Sequence, residues 1–190
     1  FLCRSQSHVP WVGCSLHDLI QPSFNFLVGA ALPFSITHRR AAGHSNKRII
    51  RHAFRRAGVL VFLGIALRYV DEPQRHVTFV DTLTQIGLGY GFLSLLGLRP
   101  VRDQWVALGV ILFGYWAAFV AYPVSAAGFD HAGLGVVAEW PHQLTGFAAH
   151  WNKNSNLAWA FDRWFLNLFP RQSPFMFDDG GYATLSFVPT

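Results

Sequence analysis

The stretch His8-Val-Pro-Trp11-Val-Gly13-Cys-Ser-Leu-His-Asp18-Leu-Ile-Gln-Pro22-Ser-Phe24-Asn-Phe26-Leu-Val-Gly29 decides the fold. It opens an apolar run: from Leu19 to Thr37, 19 residues, nothing is charged. At ~1.5 Å of rise per residue, that is about enough helix to cross a hydrocarbon core of ~30 Å. His8 stands just outside the run, held near it by a short linker of Pro, Trp and Gly. Imidazole is the side chain best suited to exchange protons or accept an acyl group near neutral pH, which makes His8 a candidate active-site residue. Ser15-Leu-His-Asp18 ahead of an apolar run also has the form of a capping box. Asp18 therefore has a structural reading, a helix-start carboxylate held by backbone N–H groups, beside any catalytic one.

The pattern recurs along the chain. Of 190 residues, 52% are hydrophobic and 13% charged, against ~25% charged in an ordinary soluble domain. Further uncharged runs cover Ala57–Leu67, Thr82–Leu98 and Gln104–Phe129. A soluble core does not need four such blocks. The expected fold is all-α: a polytopic transmembrane helix bundle of four spans plus the start of a fifth in the uncharged run from Gly180. No Met precedes Phe1, and the last run is still open at Thr190. Residues 1–190 are thus expected to form one membrane domain in part, with a first span and the C-terminal spans missing.

Charge orients the bundle. Between His38 and Arg56 lie Arg39, Arg40, Lys47, Arg48, Arg51, Arg55 and Arg56, seven of the 15 basic residues of a chain with net charge +5, and no acid. The positive-inside rule puts this loop in the cytoplasm and His8 on the outer face, as in an integral protein of a bacterial inner membrane. The same cations suit phosphates, either of a cytoplasmic cofactor such as acetyl-CoA or of anionic membrane lipid. Arg39, Arg40, Lys47 and Arg48 are the candidate cofactor-binding residues, with topology alone as the competing reading. Because topology explains the basic cluster, no nucleic-acid partner is expected. Two cysteines, Cys3 and Cys14, are too few for a disulfide framework, although one bridge fits an oxidising compartment. With His8 and His17 they match no usual zinc spacing, so no metal is expected.

The elements follow in order. The first span, Leu19–Thr37, carries Pro22 in its first turns, where a missing N–H costs least, and Pro33, expected to kink or end it. The second helix starts near Ser45 or Asn46, with Ile49, Ile50, Ala53, Phe54 and Ala57 as its apolar stripe. Its first half is expected at the cytoplasmic interface, before Ala57–Val70 enters the bilayer and Asp71-Glu72-Pro73 ends the span. The third span, Thr82–Leu98, has Asp81 at its mouth, an interior Gln85, and Gly87, Gly89 and Gly91 for close packing. Gln85 reads first as an interhelical hydrogen bond and second as a contact to an acyl donor passing through the bundle. A fourth span runs outward from Trp105 to Tyr122-Pro123. Beyond it, Leu157, Ala160, Phe161, Trp164, Phe165 and Leu168 form an amphipathic outer-face helix between Asn154-Ser155 and Pro170. Asn156, Asp162, Arg163 and Asn167 lie off that stripe. This helix reads as a surface cover of the bundle or as a lid near His8.

The opening stretch resembles the heparan-α-glucosaminide N-acetyltransferase family and its bacterial relatives. The family's pattern of His, Trp, Gly, Asp-Leu, Pro, Phe, Phe and Gly falls on His8, Trp11, Gly13, Asp18, Leu19, Pro22, Phe24, Phe26 and Gly29. Weaker matches follow in Leu83-Thr-Gln-Ile-Gly87-Leu-Gly-Tyr90, and in Asp162-Arg163 ahead of Gly181-Tyr-Ala-Thr184-Leu. The family often has Gln-Arg where this chain has Thr84-Gln85, so no role of that Arg carries over, and the family's first span is absent. The resemblance implies an acetyltransferase that takes acetyl from cytoplasmic acetyl-CoA, its co-substrate, and delivers it to an outer-face glycan or amino sugar. It implies catalytic roles for His8, as nucleophile or general base, and for Asp18, which orients the imidazole if the chain folds back. Trp11, Asn156 and Asp162 are the candidate substrate-binding residues. A transporter of small molecules or lipid-linked glycans, a non-catalytic scaffold, and a homo-oligomer all stay compatible with the residues.

Overall fold

A computed structural model describes residues 6–9, 11–71, 77–126, 128–137, 139–177, 182 and 184–189. Among them the chain is all-helical, with no strand. Five α-helices carry it: α1 (Ile20–Ala41), α2 (Asn46–Asp71), α3 (Thr82–Gly97), α4 (Val101–Ala121) and the short α5 (Leu157–Leu166). Short 3-10 turns precede α1 at His17–Leu19 and mark the segment after α4 at Ala132–Leu134 and Gly146–Trp151.

Local chemistry sets the boundaries. The expected capping box forms in full: Ser15 N donates to Asp18 Oδ2 at 2.7 Å, and Asp18 N donates to Ser15 Oγ at 3.4 Å. Ser45 caps α2 through Arg48 N at 3.4 Å. Asp81 caps α3, accepting from Thr84 N at 2.9 Å and from the Thr84 hydroxyl. Asn156 caps α5, accepting from Trp159 N at 3.1 Å.

Two expectations need correction and a third is narrowed. Of the two outcomes expected at Pro33, an end to the first helix is ruled out, because the helix runs on to Ala41; one lost N–H is tolerated inside a helix of 22 residues. The helix after the long loop starts at Leu157 and stops at Leu166, short of Pro170, because Asn167 caps it from below, donating to Arg163 O at 2.7 Å. Its apolar stripe is also not its buried face. Trp164 and Leu168 are 60% and 61% exposed, whereas Asp162 is buried with Ala158, Trp159 and Leu166. A buried carboxylate is tolerable only with donors around it, and Thr184 supplies two, as described below. Glu72 and Pro73 lie outside the described residues.

The centre of the bundle is the antiparallel α2–α3 pair. Ile49, Ala53 and Ala57 are buried along α2, the spacing expected of its apolar stripe, though Phe54 is 41% exposed. Gly87 and Gly91, four residues apart, face α2: a Cβ on Gly87 would sit 2.8 Å from Val61 Cγ2 and 2.9 Å from the Ala57 carbonyl. A Cβ on Gly91 would sit 2.8 Å from the Phe54 ring. Gly64 makes room in return for Thr84 and Asp81. Gly89 points away, into open space, as a 3.6-residue period requires.

α1 lies against α3 in the parallel sense, with Leu32 and Ile36 at the Gly97 end. Phe79 and Leu166 form a second core at the other end, joined by Val61, Ile65 and Phe165. Two helices, α1 with its preceding turn and α4, are long and apolar enough to cross a membrane. Neither is enclosed by protein: Phe26 and Phe34 on α1, and Trp105 and Phe113 on α4, are each about 70–80% exposed. α2 is long enough but carries six cations, and α3, at 16 residues, is ~24 Å long, short of a ~30 Å core.

Candidate active site at one end of the bundle

The chain folds back ahead of α1, and His8 Nδ1 comes to 2.7 Å from Asp18 Oδ1. Asp18 uses both oxygens: Oδ2 holds the helix start and Oδ1 holds the imidazole. The structural and the orienting readings of this residue are therefore compatible. With Nδ1 turned to a carboxylate, the natural tautomer carries its proton there and leaves the Nε2 lone pair outward. The His17 ring meets that of His8 edge-on, at 4.3 Å between centroids. The His8 side chain is 72% exposed, so it is held by two neighbours at the rim and is not enclosed by the bundle.

Trp11 leads from this dyad to a buried polar layer. Its ring lies edge-on to Tyr182, 6.0 Å between centroids. The Tyr182 hydroxyl accepts from Asn154 N at 3.1 Å and from Asn156 Nδ2 at 2.9 Å. Asn152, Lys153, Asn154, Ser155 and Asn156 are all buried, a run of five polar side chains inside the protein. Asn152 spans the loop, donating to Leu144 O and accepting from Leu144 N. Lys153 places its ammonium 5.1 Å from the centre of the Trp140 ring. Asn154 adopts φ +51°, a left-handed conformation that Asn tolerates better than most residues. Its Nδ2 donates to Leu134 O at 2.8 Å, whereas its Oδ1 and the Ser155 hydroxyl are buried without a partner among the described residues.

Asp162 completes the layer. It is 1% exposed and accepts from Thr184 N at 3.1 Å and from the Thr184 hydroxyl. His8, Asp18, Trp11, Asn156 and Asp162 are thus brought to one end of the bundle, with Tyr182 and Thr184 as the links between them. Reading the sequence quoted Tyr182 and Thr184 only within a weak family match, and Asn154 and Ser155 only as a helix start, and gave none of them a place in the site. Five polar residues in a row before an apolar helix, Asn152–Asn156, are the signal that could have pointed to the layer.

Arg39, Arg40, Lys47 and Arg48 lie at the opposite end of α1, ~33 Å from Asp18 along a helix of this length. They flank the turn between α1 and α2, where Arg40, Lys47 and Arg48 are exposed and Arg39 is half-buried. In that turn, burial and then the neighbouring Arg48, Arg39 and His38 hold the His44 imidazole below its ordinary value. Between the two ends, a cleft of about 280 Å³ runs along α1, α3 and α4, lined by Asn25, Val28, Gln85, Gly89, Leu96 and Ile111 among others. Gln85 lines it while donating to the Phe79 carbonyl at 2.6 Å, a bond to the segment leading into its own helix. Among the described residues, no cluster of three His, Cys, Asp or Glu side chains is placed to hold a metal ion. Cys14 is exposed and free, and Cys3 lies outside the described residues. Comparison with known proteins gives no matching family model and no matching curated protein.

Proposed function

We propose that the chain is part of an integral membrane acyltransferase that moves acetyl from cytoplasmic acetyl-CoA to a sugar or other acceptor on the outer face. The observation that carries this reading is the His8–Asp18 pair, set at the far end of α1 from the basic turn. In this reading α1 to α4 are four spans, and the arginine-rich turn is the cytoplasmic end. Lipid-facing positions for α1 and α4 account for the large apolar side chains exposed on their faces turned away from the bundle, such as Phe26, Phe34, Trp105 and Phe113. α3 is short for a span, and α2 brings five of its six cations to one end and Arg68 to the other, where long side chains snorkel to the headgroups.

The chemistry follows from the tautomer. With its Nδ1 proton directed to Asp18, His8 has a nucleophilic Nε2. Attack on the thioester carbonyl forms an N–C bond and breaks the C–S bond, releasing coenzyme A as its thiolate and leaving a cationic acetyl-imidazole. An acceptor amine or hydroxyl then takes the acetyl group, its proton passes to Nε2 as the N–C bond breaks, and the imidazolium gives that proton up to the thiolate or to water. In the direct variant, Nε2 takes the acceptor's proton while the acceptor attacks the thioester, and the imidazolium protonates the departing thiolate. Asp18 stabilises the imidazolium in either path. The phosphates of acetyl-CoA fall to Arg39, Arg40, Lys47 and Arg48. In this reading the pantetheine arm runs along the cleft past Gln85, and Trp11, Asn156 and Asp162 lie on the acceptor side.

Labelled acetyl-CoA supplied to one face of proteoliposomes, with a mixture of amino sugars and glycans on the other, tests the proposal. Transfer by the intact protein that disappears in His8→Ala supports it. Retained transfer in that variant, or none by the intact protein with any acceptor, overturns it.

A further inference from the structure

The cations at the basic end do more than flank a turn. Arg39 Nη2, near the end of α1, reaches His52 Nε2 on α2 at 3.3 Å. A guanidinium can only donate, so the imidazole is the acceptor. This contact joins two clefts. On the α1 side lies one of about 260 Å³ lined by His38, Arg39 and His44. On the α2 side lies one of about 280 Å³ lined by His52, Arg55 and Arg56 and continued by Val59 and Leu60. Among the described residues no carboxylate pairs with Arg39, Arg55 or Arg56, and there is no acid from His38 to Arg56. The Nδ1 atom of His44 is buried in this region without a hydrogen-bond partner among the described residues. Arg56 is steadied by the Tyr90 ring, 5.4 Å from its guanidinium to the ring centre. A groove with several cations and no acid is incomplete without an anion.

We propose that this groove binds the phosphodiester headgroup of an anionic membrane lipid. A planar guanidinium offers paired donors to phosphate oxygens, and Arg55 and Arg56 present two of them one turn above an apolar floor. Val59 and Leu60 form that floor, and beyond them Phe62 and Leu63 are exposed, 70% and 43%. An acyl chain continues along this face of α2 as a phosphate sits at its head. Phosphates also occur on coenzyme A, which would need the cations but not the apolar continuation. The site needs a membrane around the chain but no chemistry at His8, so it stands or falls apart from acyl transfer.

The test uses the full chain in nanodiscs of neutral phosphatidylcholine with a minor share of phosphatidylglycerol, with retained lipid counted by native mass spectrometry. The intact protein retains phosphatidylglycerol over phosphatidylcholine. Arg55→Gln with Arg56→Gln weakens that preference about thirtyfold, from the ~1 kcal/mol each surface cation contributes. Arg99→Gln with Arg102→Gln, an equal loss of charge outside the groove, leaves it within about twofold. Equal losses in the two pairs, or no loss in the first, overturn the site. If the first pair fails to insert, Arg55→Gln alone carries the same direction of change, and full retention in it is equally fatal. Displacement of the lipid by excess coenzyme A would reassign the groove to the acyl donor and overturn the lipid assignment.

Discussion

The ring of Trp11 meets the ring of Tyr182 edge-on, with 6.0 Å between centroids. Through that contact the segment carrying His8, ahead of the first helix, is tied to the buried polar run that follows the fourth. Two stretches of sequence about 170 residues apart thus share one wall. The contact is apolar on the Trp11 side and hydrogen-bonded on the other, which gives Tyr182 two separable jobs.

Tyr182→Phe separates them. The ring is kept, so Trp11 keeps its neighbour, but Asn154 N and Asn156 Nδ2 lose their shared acceptor. Leaving buried donors unpaired costs about 1–3 kcal/mol, and unfolding of the protein in micelles should shift by that amount. Asn154→Ala should cost about 1–2 kcal/mol more than Asn154→Gly, because only glycine takes φ +51° freely. Equal stabilities for those two would mean that the left-handed turn relaxes.

Changing His8 to alanine should reduce acetyl transfer on the order of 10²–10⁴-fold, the usual share of a positioned acid–base group, with acetyl-CoA binding unchanged. Asp18→Asn should lower kcat and leave KM alone, since it disturbs the tautomer and not the acceptor or donor sites. Steady-state kinetics in proteoliposomes separates the two effects. A change in KM alone would make Asp18 a helix cap and nothing further.

The basic turn makes a binding prediction. Neutralising Arg39, Arg40, Lys47 and Arg48 should weaken acetyl-CoA by ~1.5–3 kcal/mol for each side chain that reaches a phosphate, measured by titration on correctly inserted protein. Unchanged affinity would leave those four residues with a topological role alone.

Single cysteines introduced at positions 8, 47 and 164, in a chain with Cys3 and Cys14 changed to serine, should divide between the two faces. Positions 8 and 164 are expected to react with an impermeant reagent from outside, and position 47 only after permeabilisation. All three sites are exposed, so reactivity reports sidedness. Labelling of 8 and 47 from one face would remove both the orientation and the mechanism.

Gly87→Val should destabilise the protein by about 1–3 kcal/mol, the cost of overfilling a packed seam, because its Cβ would meet Val61 and the Ala57 carbonyl. Gly89→Val, two residues on and facing open space, is the control and should cost far less. Thermal unfolding of the two variants side by side decides it.

Much of this was legible in the sequence, for reasons that can be named. Ser15 and Asp18 declare a helix start through spacing alone, and the apolar runs declare α1 and α4 through length. Ile49, Ala53 and Ala57 marked the buried face of α2 because three- and four-residue steps are intrinsic to a helix. Gly87, Gly89 and Gly91 were legible only as small residues; which of them faces α2 depends on where the seam falls. The burial of Asp162 could not be read, because it depends on Thr184, 22 residues away and beyond an irregular segment. The same holds for Asn152–Asn156, whose polarity points to water until Leu134, Leu144 and Tyr182 close over it. The Arg39–His52 bridge was hidden because topology already explains a basic loop.

Under the proposed four-span arrangement, the glycine seam also bears on how the chain enters a membrane. α2 carries Lys47, Arg48, Arg51, Arg55, Arg56 and Arg68 and is a poor candidate to leave the translocation machinery by itself. Its partner α3 begins within eleven residues of its end, on the order of a second of synthesis at ~5–20 residues per second. Gly64, Gly87 and Gly91 let the two close as a hairpin before either is committed. In the proposed four-span arrangement the α2–α3 hairpin enters as one unit, after α1 and before α4. A bulky residue at Gly87 would then act early, as a failure of insertion and yield, before any property of the mature protein could be measured.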